Sequence, residues 1–560
     1  MAPANPLPHT SAITMPFIAA VLLLALPWLN PKSLGPTPAI PTLLFAWGCS
    51  ALFLIGCAIP GQSRAGRLVR VCVGAWLLAA LVSALIGVLQ YFGLSGSLGQ
   101  LRGLGYVSWA LEHLGVSGGL DSLVNVTSVG EAFGNLRQRN HFATLTNIGL
   151  ASVIFCSASL GDSGVRASHS PRYHVLGLWL VMAAILLAAA NAASSSRTGL
   201  MQLILITTMA GLWGFRMRRG AGTDMALVRN VLVAADLAYV AAALSFPWLA
   251  SLDPEAIGIL ARLHENGAAC SGRLTLWSNV LHLIAQKPWF GWGWGELGYA
   301  HFITLYPGER FCDILDNAHD LPLHLAVELG VPFALVFCGA CIAIVWRAKP
   351  WRETNRVRQL AWTVLAAIGL HSLLEYPLWY GPFQMATVLS LWLLYSTPAD
   401  WMGSAEAMSS DVVQGDAAVR ARLWPLWLAF FGILILGFCT YAAWDYWRIS
   451  QIYTLPAERA VAYQGDTLEK IRGSRLFQNQ VRFAELGTTV LTAQNAEHNF
   501  ALAKDLLHFS AEPQVAQRIV ESAMLLGRNE DAQYYLLRFE AAFPQAHANW
   551  TRAMSASEPQ

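Results

Sequence analysis

Long apolar runs recur along this chain, and each is close to the roughly 20 residues that a helix needs to cross a bilayer. Only 12% of the 560 residues are charged, whereas soluble domains usually carry about 25%. The 22 Trp residues suit the two membrane interfaces, where amphipathic rings lie at the level of the headgroups. The net charge of +2 and the lack of a basic stripe argue against a nucleic-acid partner. The sequence therefore predicts an all-α, polytopic membrane protein.

Hydropathy predicts about eleven spans, and basic residues cluster in the loops that follow the second, fourth, sixth and eighth of them. Because cytoplasmic loops carry the excess of Lys and Arg, these loops and the N-terminus are expected in the cytoplasm. Residues 1–11 lack the basic region of a cleaved signal peptide, so the first apolar run is expected to remain as a span. The basic residues are Arg64, Arg67 and Arg70; Arg166 and Arg172; Arg216, Arg218, Arg219 and Arg229; and Arg347, Lys349, Arg352, Arg356 and Arg358. The spans are predicted at 13–30, 38–59, 71–92, 142–160, 174–193, 199–215, 229–250, 319–346, 359–375, 381–397 and 423–446.

The predicted domain organisation follows from these spans. Residues 1–446 form a transmembrane domain whose largest outer loops are 93–141 and 251–318, and residues 447–560 form a polar, Ala-rich helical domain on the same outer side. Its paired amphipathic patterns resemble tetratricopeptide hairpins, although the 34-residue period is not clean. This domain is either a small cap of helices or a platform for a protein partner.

Two polar segments lie at the outer ends of predicted spans. Residues 134–144 combine arginines, amides and a histidine at a membrane boundary, where an unpaired charge is costly. Residues 194–199 form a polar corner on the predicted outer side. Its Arg197 is unexpected there, because basic residues are usually found in cytoplasmic loops. Snorkelling side chains and an ordinary turn are the structural alternatives to a binding site.

The large outer loop ends at His319, where polar sequence turns into an apolar helix. A neutral imidazole can take a proton from a hydroxyl nucleophile, and Asp316 and Asp320 are placed to orient the ring. A purely structural histidine is the alternative. Cys270 and Cys312 lie in the same loop, and a periplasmic location would favour a disulfide between them.

The next outer corner holds His371 and Glu375, which are four residues apart and are expected to share a helix face. Two such groups are too few to indicate a metal site, so mutual hydrogen bonding is the better interpretation. No phosphate-binding loop or nucleophile elbow is present. An outward-facing enzyme has no reliable ATP, so its energy must arrive in the substrate or from an ion gradient, and a lipid-diphosphate-linked sugar is one such substrate. Arginine forks suit that diphosphate, and those available are Arg137, Arg139, Arg197 and Arg273.

Taken in order, these segments resemble the bacterial O-oligosaccharyltransferases that glycosylate pilins and other envelope proteins, which are relatives of the O-antigen ligases and Wzy polymerases. The resemblance is most specific in residues 134–141, 317–319 and 371–380. His319 and Gly330 match the superfamily spacing of His, an amide or hydroxyl residue, nine residues and Gly, with Asp320 at the second position. Arg139 stands where the family often has proline.

The resemblance implies a GT-C-like bundle in the bacterial inner membrane, with its active site and C-terminal domain in the periplasm. A preassembled glycan would move from undecaprenyl diphosphate to a Ser or Thr hydroxyl of a pilin or other envelope protein, with inversion and without a metal or cofactor. The implied catalytic residue is His319, and the implied diphosphate ligands are Arg197, Arg273 and Arg137. The supporting residues are Gln138, Asn140, His141, Asn317, Asp320, Glu375, Tyr376 and Tyr380.

Two alternatives remain open from the sequence. An O-antigen ligase or polymerase would use lipid A-core or a glycan as its acceptor, although the sequence 375–380 and the C-terminal helices favour a protein. A lipid-linked glycan transporter would place charge or broken helices near the middle of the membrane, often in repeated halves. The candidate residues instead gather at one face.

Overall fold

The computed structural model describes residues 11–30, 35–58, 65–95, 124, 127–162, 170–218, 225–254, 256–264, 269–397 and 414–557. Within these ranges the regular elements are all helices, as the sequence predicts. The predicted cytoplasmic residues Arg64, Arg166 and Arg219 lie outside the described residues, as does most of the predicted outer loop 93–141.

The membrane part is built from helices that correspond to the predicted spans. Eight helices among the described residues are long and apolar enough to cross a membrane, which supports a multi-pass membrane protein. Helices at the remaining three predicted positions are shorter or only partly apolar. The helices are α1 (Ser11–Leu29), α2 (Ala39–Cys57), α3 (Ala65–Tyr91), α4 (Arg139–Gly161), α5 (Pro171–Ala193), α6 (Arg197–Arg218), α7 (Ala226–Leu249), α8 (Ile259–His264), α9 (Arg273–Gln286), α10 (Leu297–Ile303), α11 (Leu321–Leu329), α12 (Val331–Ala348), α13 (Arg356–Ser372), α14 (Gly381–Ser396), α15 (Gln414–Ser450), α16 (Thr467–Ile471), α17 (Gln478–Thr488), α18 (Ala496–Phe509), α19 (Pro513–Leu525), α20 (Asn529–Ala542) and α21 (Pro544–Ser557).

The predicted span 319–346 is wrong as a single helix, because the chain breaks between α11 and α12 at Gly330, whose φ is 91°. A Cβ at this residue would lie 2.2 Å from the carbonyl oxygen of Trp289. Trp292 N–H donates to the Val327 carbonyl (2.8 Å), and Val331 N–H donates to the Pro288 carbonyl (2.8 Å). The main chain of the Trp- and Gly-rich segment 288–295 thus forms hydrogen bonds with the main chain on both sides of Gly330. Helix α11 is therefore a separate short helix before the membrane span.

Helix α4 is the centre of the bundle and packs against α3, α5, α6 and α13. Its buried residues include Phe142, Leu145 and Ile148. Buried Thr144 and Asn147 lie on the same helix, and polar side chains inside a membrane protein require partners. The central helix therefore carries both the apolar core and a hydrogen-bond network.

Described residues that flank three of the predicted cytoplasmic loops lie together at one end of the bundle. Trp213 Nε1 of α6 donates to the Pro350 carbonyl at 2.9 Å. Arg356 Nε, at the start of α13, pairs with Asp162 at the end of α4, at 3.0 Å. The opposite end carries the starts of α4 and α6 together with the loop that leads to His319. The predicted alternation of loops between the two sides of the membrane therefore agrees with the contacts between these helix ends.

The C-terminal helices dock on the large loop rather than standing apart from it. The ring of His508 stacks on Tyr299 with centroids 3.8 Å apart, and its Nδ1 contacts Glu296 Oε2 at 2.7 Å. Arg538 Nε donates to the Ile303 carbonyl at 2.8 Å. Successive helices α18, α19 and α20 pack on one another, and the tetratricopeptide resemblance of this domain remains a prediction.

His301 makes the folded large loop sensitive to acid. Burial, and then the charge of Arg310, lower the pKa of His301 to about 3, while its hydrogen bond to the Phe311 carbonyl acts in the opposite direction. The unfolded chain therefore binds a proton more readily than the folded one below an ordinary pKa of about 6.5. The stability that the neutral His301 gives to the folded loop is fully present above that pH. It is lost as the pH falls, by up to roughly 1.4 kcal/mol per pH unit.

Between pH 7 and pH 5 we expect residues 297–311 to lose roughly 2 kcal/mol of protection against amide hydrogen exchange. His301→Gln should flatten this pH dependence, whereas His498→Gln, which changes an exposed histidine of the C-terminal domain, should leave it in place. Equal pH dependence in the wild-type protein and His301→Gln would contradict the assignment.

Candidate active site

Glu375 is the residue on which the polar segments of the outer end converge. It lies just beyond the end of α13 and is only 5% exposed. The His319 ring contacts Oε2 through Nδ1 at 2.7 Å, and Arg273 forms an ion pair with Oε1. Asn140 Nδ2 donates to Oε1 at 3.1 Å, and Gln138 Nε2 donates to Oε2 at 3.4 Å. Three chain segments that are distant in sequence, at residues 138–140, 273 and 319, therefore bind one carboxylate.

This arrangement selects the tautomer of His319. Burial alone would raise the pKa of Glu375, but its hydrogen bond with His319 and the charge of Arg273 hold that pKa below its ordinary value. The ionised carboxylate can only accept, so Nδ1 of His319 donates this hydrogen bond, and in the neutral ring the lone pair is then on Nε2. The His319 side chain is 24% exposed, which leaves the ring open to a ligand. A neutral imidazole in this position can accept a proton from a hydroxyl group.

A tight turn presents His319, whose φ is 52°. Its N–H donates to Asn317 Oδ1 at 2.7 Å, and Trp277 Nε1 donates to the Ala318 carbonyl at 3.2 Å. The prediction that Asp320 orients the ring is wrong, because its carboxylate caps α11 by accepting the Leu323 N–H at 2.8 Å. Asp, Asn and Ser are all good N-caps, which explains how Asp replaces an amide or hydroxyl residue at the second motif position.

Asp320→Asn is expected to leave thermal stability and catalysis nearly unchanged, because asparagine caps a helix as well as aspartate does. Asp320→Ala should cost about 1 kcal/mol of local stability, measured as faster amide exchange in α11. An equal loss of catalysis in both variants would instead require a chemical role for the carboxylate.

The start of α4 is held in place by Gln90, which lies outside the predicted polar segments, and by Ser196, which lies in one of them. Gln90 Oε1 accepts the N–H of Gly134 at 2.7 Å, and a Cβ on Gly134 would lie 2.2 Å from Ser83 Oγ. Ser196 Oγ donates to Asn140 Oδ1 at 2.6 Å, which turns the Asn140 amide N–H group towards Glu375. The same Ser196 oxygen accepts a hydrogen bond at the start of α6, so this predicted polar corner positions both a helix and a ligand of the carboxylate.

The three predicted diphosphate ligands all lie at this end of the bundle, but they differ in their contacts and exposure. Arg273 contacts Glu375 and keeps 41% of its side chain exposed. Arg137 is exposed and immediately precedes Gln138, while Arg197 is exposed and begins α6. Arg197 donates to the Arg262 carbonyl. Arg139 pairs instead with Glu131 at 3.4 Å.

A buried polar network lies beneath the site, on the side of the membrane core. The predicted mutual hydrogen bond between the side chains of His371 and Glu375 is wrong, since His371 Nδ1 contacts Thr144 Oγ1 at 2.8 Å. Gln202 Nε2 also donates to Thr144 Oγ1, at 2.9 Å, and Asn147 Nδ2 donates to Gln202 Oε1 at 3.1 Å. A polar residue inside an apolar helix was the available sequence signal for Gln202.

Aromatic rings form one wall of the site. Tyr376 meets His319 edge to face with centroids 5.0 Å apart and stacks with Tyr380 at 6.2 Å. Tyr380 in turn contacts His141 at 4.1 Å. His141 is only 1% exposed, so it supports the tyrosine wall from behind rather than facing a ligand.

A disulfide joins Cys270 and Cys312, whose Cα atoms are 5.3 Å apart. The Cys312 N–H also donates to the Cys270 carbonyl at 3.2 Å. Cys270 closely precedes Arg273, and Cys312 closely precedes His319. The crosslink therefore holds together the two loop segments that bring the arginine and the histidine to Glu375.

Three family models match the chain, and each covers a different part of this site. Residues 132–155 match a protein glycosylation ligase model, and residues 182–338 match an O-antigen ligase model. Residues 359–557 match a model for the C-terminal region of a virulence factor membrane-bound polymerase. The predicted resemblance to the O-antigen ligase superfamily is confirmed. The ligase match includes His319 and Arg273, the glycosylation ligase match includes Asn140, and the polymerase match includes Glu375.

Two curated relatives come from Acinetobacter baylyi. A general O-oligosaccharyltransferase is 25% identical over 206 residues, which are 37% of this chain and 32% of that protein. A ComP-specific O-oligosaccharyltransferase is 26% identical over 113 residues, which are 20% of each chain. The chain thus aligns with a third or less of the length of either relative, and both relatives are oligosaccharyltransferases by name.

Proposed function

We propose that the protein is an O-oligosaccharyltransferase of the bacterial inner membrane. It moves a preassembled glycan from undecaprenyl diphosphate to a Ser or Thr hydroxyl of a pilin or another envelope protein, with its site facing the periplasm. The observation that carries the proposal is the His319–Glu375 hydrogen bond of 2.7 Å, made on a carboxylate that also binds Arg273. A base and a cation are thereby placed next to one another.

The acceptor step uses the free Nε2 of His319. This nitrogen takes the hydroxyl proton as the acceptor oxygen attacks the anomeric carbon of the first sugar. Glu375 stabilises the imidazolium that forms and keeps the ring in the required orientation, as a carboxylate does for a catalytic histidine in other enzymes. The Tyr376 ring, which packs edge to face on His319, limits the directions from which the acceptor approaches.

The donor step breaks the bond between the anomeric carbon and the diphosphate oxygen. The new glycosidic bond forms on the opposite face of that carbon, so direct attack inverts its configuration. The departing lipid diphosphate keeps the electron pair of the broken bond, and its added charge is stabilised by arginine forks. The exposed side chains of Arg137 and Arg197 are suited to this role, and Arg273 links the diphosphate site to Glu375.

A second candidate function is O-antigen ligation, which the match of residues 182–338 to an O-antigen ligase model favours. The same chemistry would then use lipid A-core as the acceptor. The protein glycosylation ligase match and the names of the two relatives support a protein acceptor instead.

The test is reconstitution of the full chain in proteoliposomes with an undecaprenyl-diphosphate-linked oligosaccharide. A pilin and lipid A-core are supplied in separate reactions, and products are identified by mass spectrometry. Glycan on Ser or Thr of the pilin is the expected result. Transfer to lipid A-core alone would establish the ligase, and donor movement across the bilayer without any transfer would overturn both candidates.

Arg197→Ala is expected to weaken donor use, because a charge-assisted hydrogen bond to phosphate contributes about 1.5–3 kcal/mol. The donor KM should rise roughly 10- to 100-fold with a smaller change in kcat. Arg139→Ala is the matched control, since its guanidinium pairs with Glu131. Unchanged donor affinity in both Arg197→Ala and Arg273→Ala would exclude the proposed diphosphate site.

A further inference from the structure

The carboxylate of Asp236 lies near the middle of helix α7, which is long and apolar enough to cross a membrane. Asp236 lies about ten residues, or roughly 15 Å, from the start of this helix, and its side chain is exposed. Within the part of the chain that the structure describes, Asp236 makes no hydrogen bond or ion pair. An ionisable residue at this depth is costly and is usually retained for a partner.

Asp236 lines a groove between α6 and α7 with about 450 Å³ of free space. Thr207, near the midpoint of α6, lines the same groove, as do Gly211 and Gly214. A Cβ on Gly211 would meet nothing within 4 Å, so this side of α6 is open to close approach by another helix. The groove also contains Arg229, which lies two helical turns from Asp236 towards the start of α7.

The carboxyl group of Asp236 determines which kind of molecule fits the groove. A carboxyl group in hydrocarbon needs a hydrogen-bond donor, and acyl or polyprenyl chains offer none. Phospholipid headgroups lie roughly 15 Å away, at the membrane surface. A transmembrane helix can bring a donor to this depth, and small residues such as Gly211 favour close helix packing.

We propose that the groove between α6 and α7 binds a single transmembrane helix of a partner protein, which presents an amide, hydroxyl or basic side chain to Asp236. A second copy of this chain fits less well, because a two-fold axis along the membrane normal would bring Asp236 against Asp236 at the same depth. This proposal does not rest on glycan transfer.

The test uses the full chain in vesicles of phosphatidylethanolamine and phosphatidylglycerol. Synthetic transmembrane helices of Leu and Ala, with either Asn or Leu at the centre, serve as probes. A photo-crosslinking residue at Val233, which lines the groove, reports binding, and one at Leu244, exposed on α7 but away from the groove, is the matched control.

The Asn peptide should be captured roughly three- to thirty-fold more than the Leu peptide at Val233, as expected for one interhelical hydrogen bond, with no such preference at Leu244. Asp236→Leu should abolish the preference and Asp236→Asn should keep it, so a folding defect in one variant does not hide the result. Equal capture of both peptides, a preference that survives Asp236→Leu, or adducts formed mainly between two copies of the chain would overturn the proposal.

Discussion

His319→Ala is expected to reduce glycan transfer roughly 10²- to 10⁴-fold, the usual contribution of a positioned general base. The alanine side chain cannot take the hydroxyl proton, while Arg273 and Glu375 still form their ion pair. The loss should therefore fall mainly on kcat, and the donor KM should change little. Transfer by the purified variant in proteoliposomes measures the effect, and lipid-linked donor should persist unused in cells.

His498→Ala is the matched control, because this exposed histidine also contacts a carboxylate, Glu485, but lies in the C-terminal domain. It should transfer glycan within about twofold of the wild-type rate, since isolated surface ion pairs contribute little. Wild-type glycosylation by His319→Ala would reject the proposed mechanism, whatever the state of the control.

Glu375→Gln is expected to have a comparable effect, although Glu375 does not itself meet the acceptor hydroxyl in the mechanism. A neutral amide no longer stabilises the imidazolium or fixes the proton on Nδ1 of His319, and it leaves Arg273 without its counter-charge. We expect kcat to fall roughly 10²- to 10⁴-fold. Thermal melting of the purified protein separates this effect from a loss of stability.

The double variant of His319→Ala and Glu375→Gln distinguishes a positioning role from an independent one. If Glu375 acts through the imidazole, the double variant should be scarcely slower than His319→Ala alone, because residues that act as a unit are not additive. Glu131→Gln is the matched control, since this carboxylate pairs with Arg139 and its loss should cost less than about twofold in rate. Fully multiplicative losses in the double variant would contradict the positioning role.

Much of the candidate site was predictable because its signals are local in sequence. Placing a polar residue at the end of an apolar run costs free energy unless the residue has a partner or a function. Asn140, Arg197 and His319 were identified as candidates for this reason. The role of Asp320 was misread, because helix capping and ring orientation require the same residue type at nearly the same position. The helix start at Leu321 decides between them.

The sequence by itself determined that this chain enters a membrane as a series of helices, because apolar length against bilayer thickness is a property of each segment alone. It also determined which helix ends lie on the same side, through the alternation of basic loops. The tertiary structure alone decided that Glu375 gathers His319, Arg273 and Asn140, because contacts between distant segments depend on which helices are neighbours. The break at Gly330 was decided in the same way, since the main chain of residues 288–293 must bind there for the helix to stop.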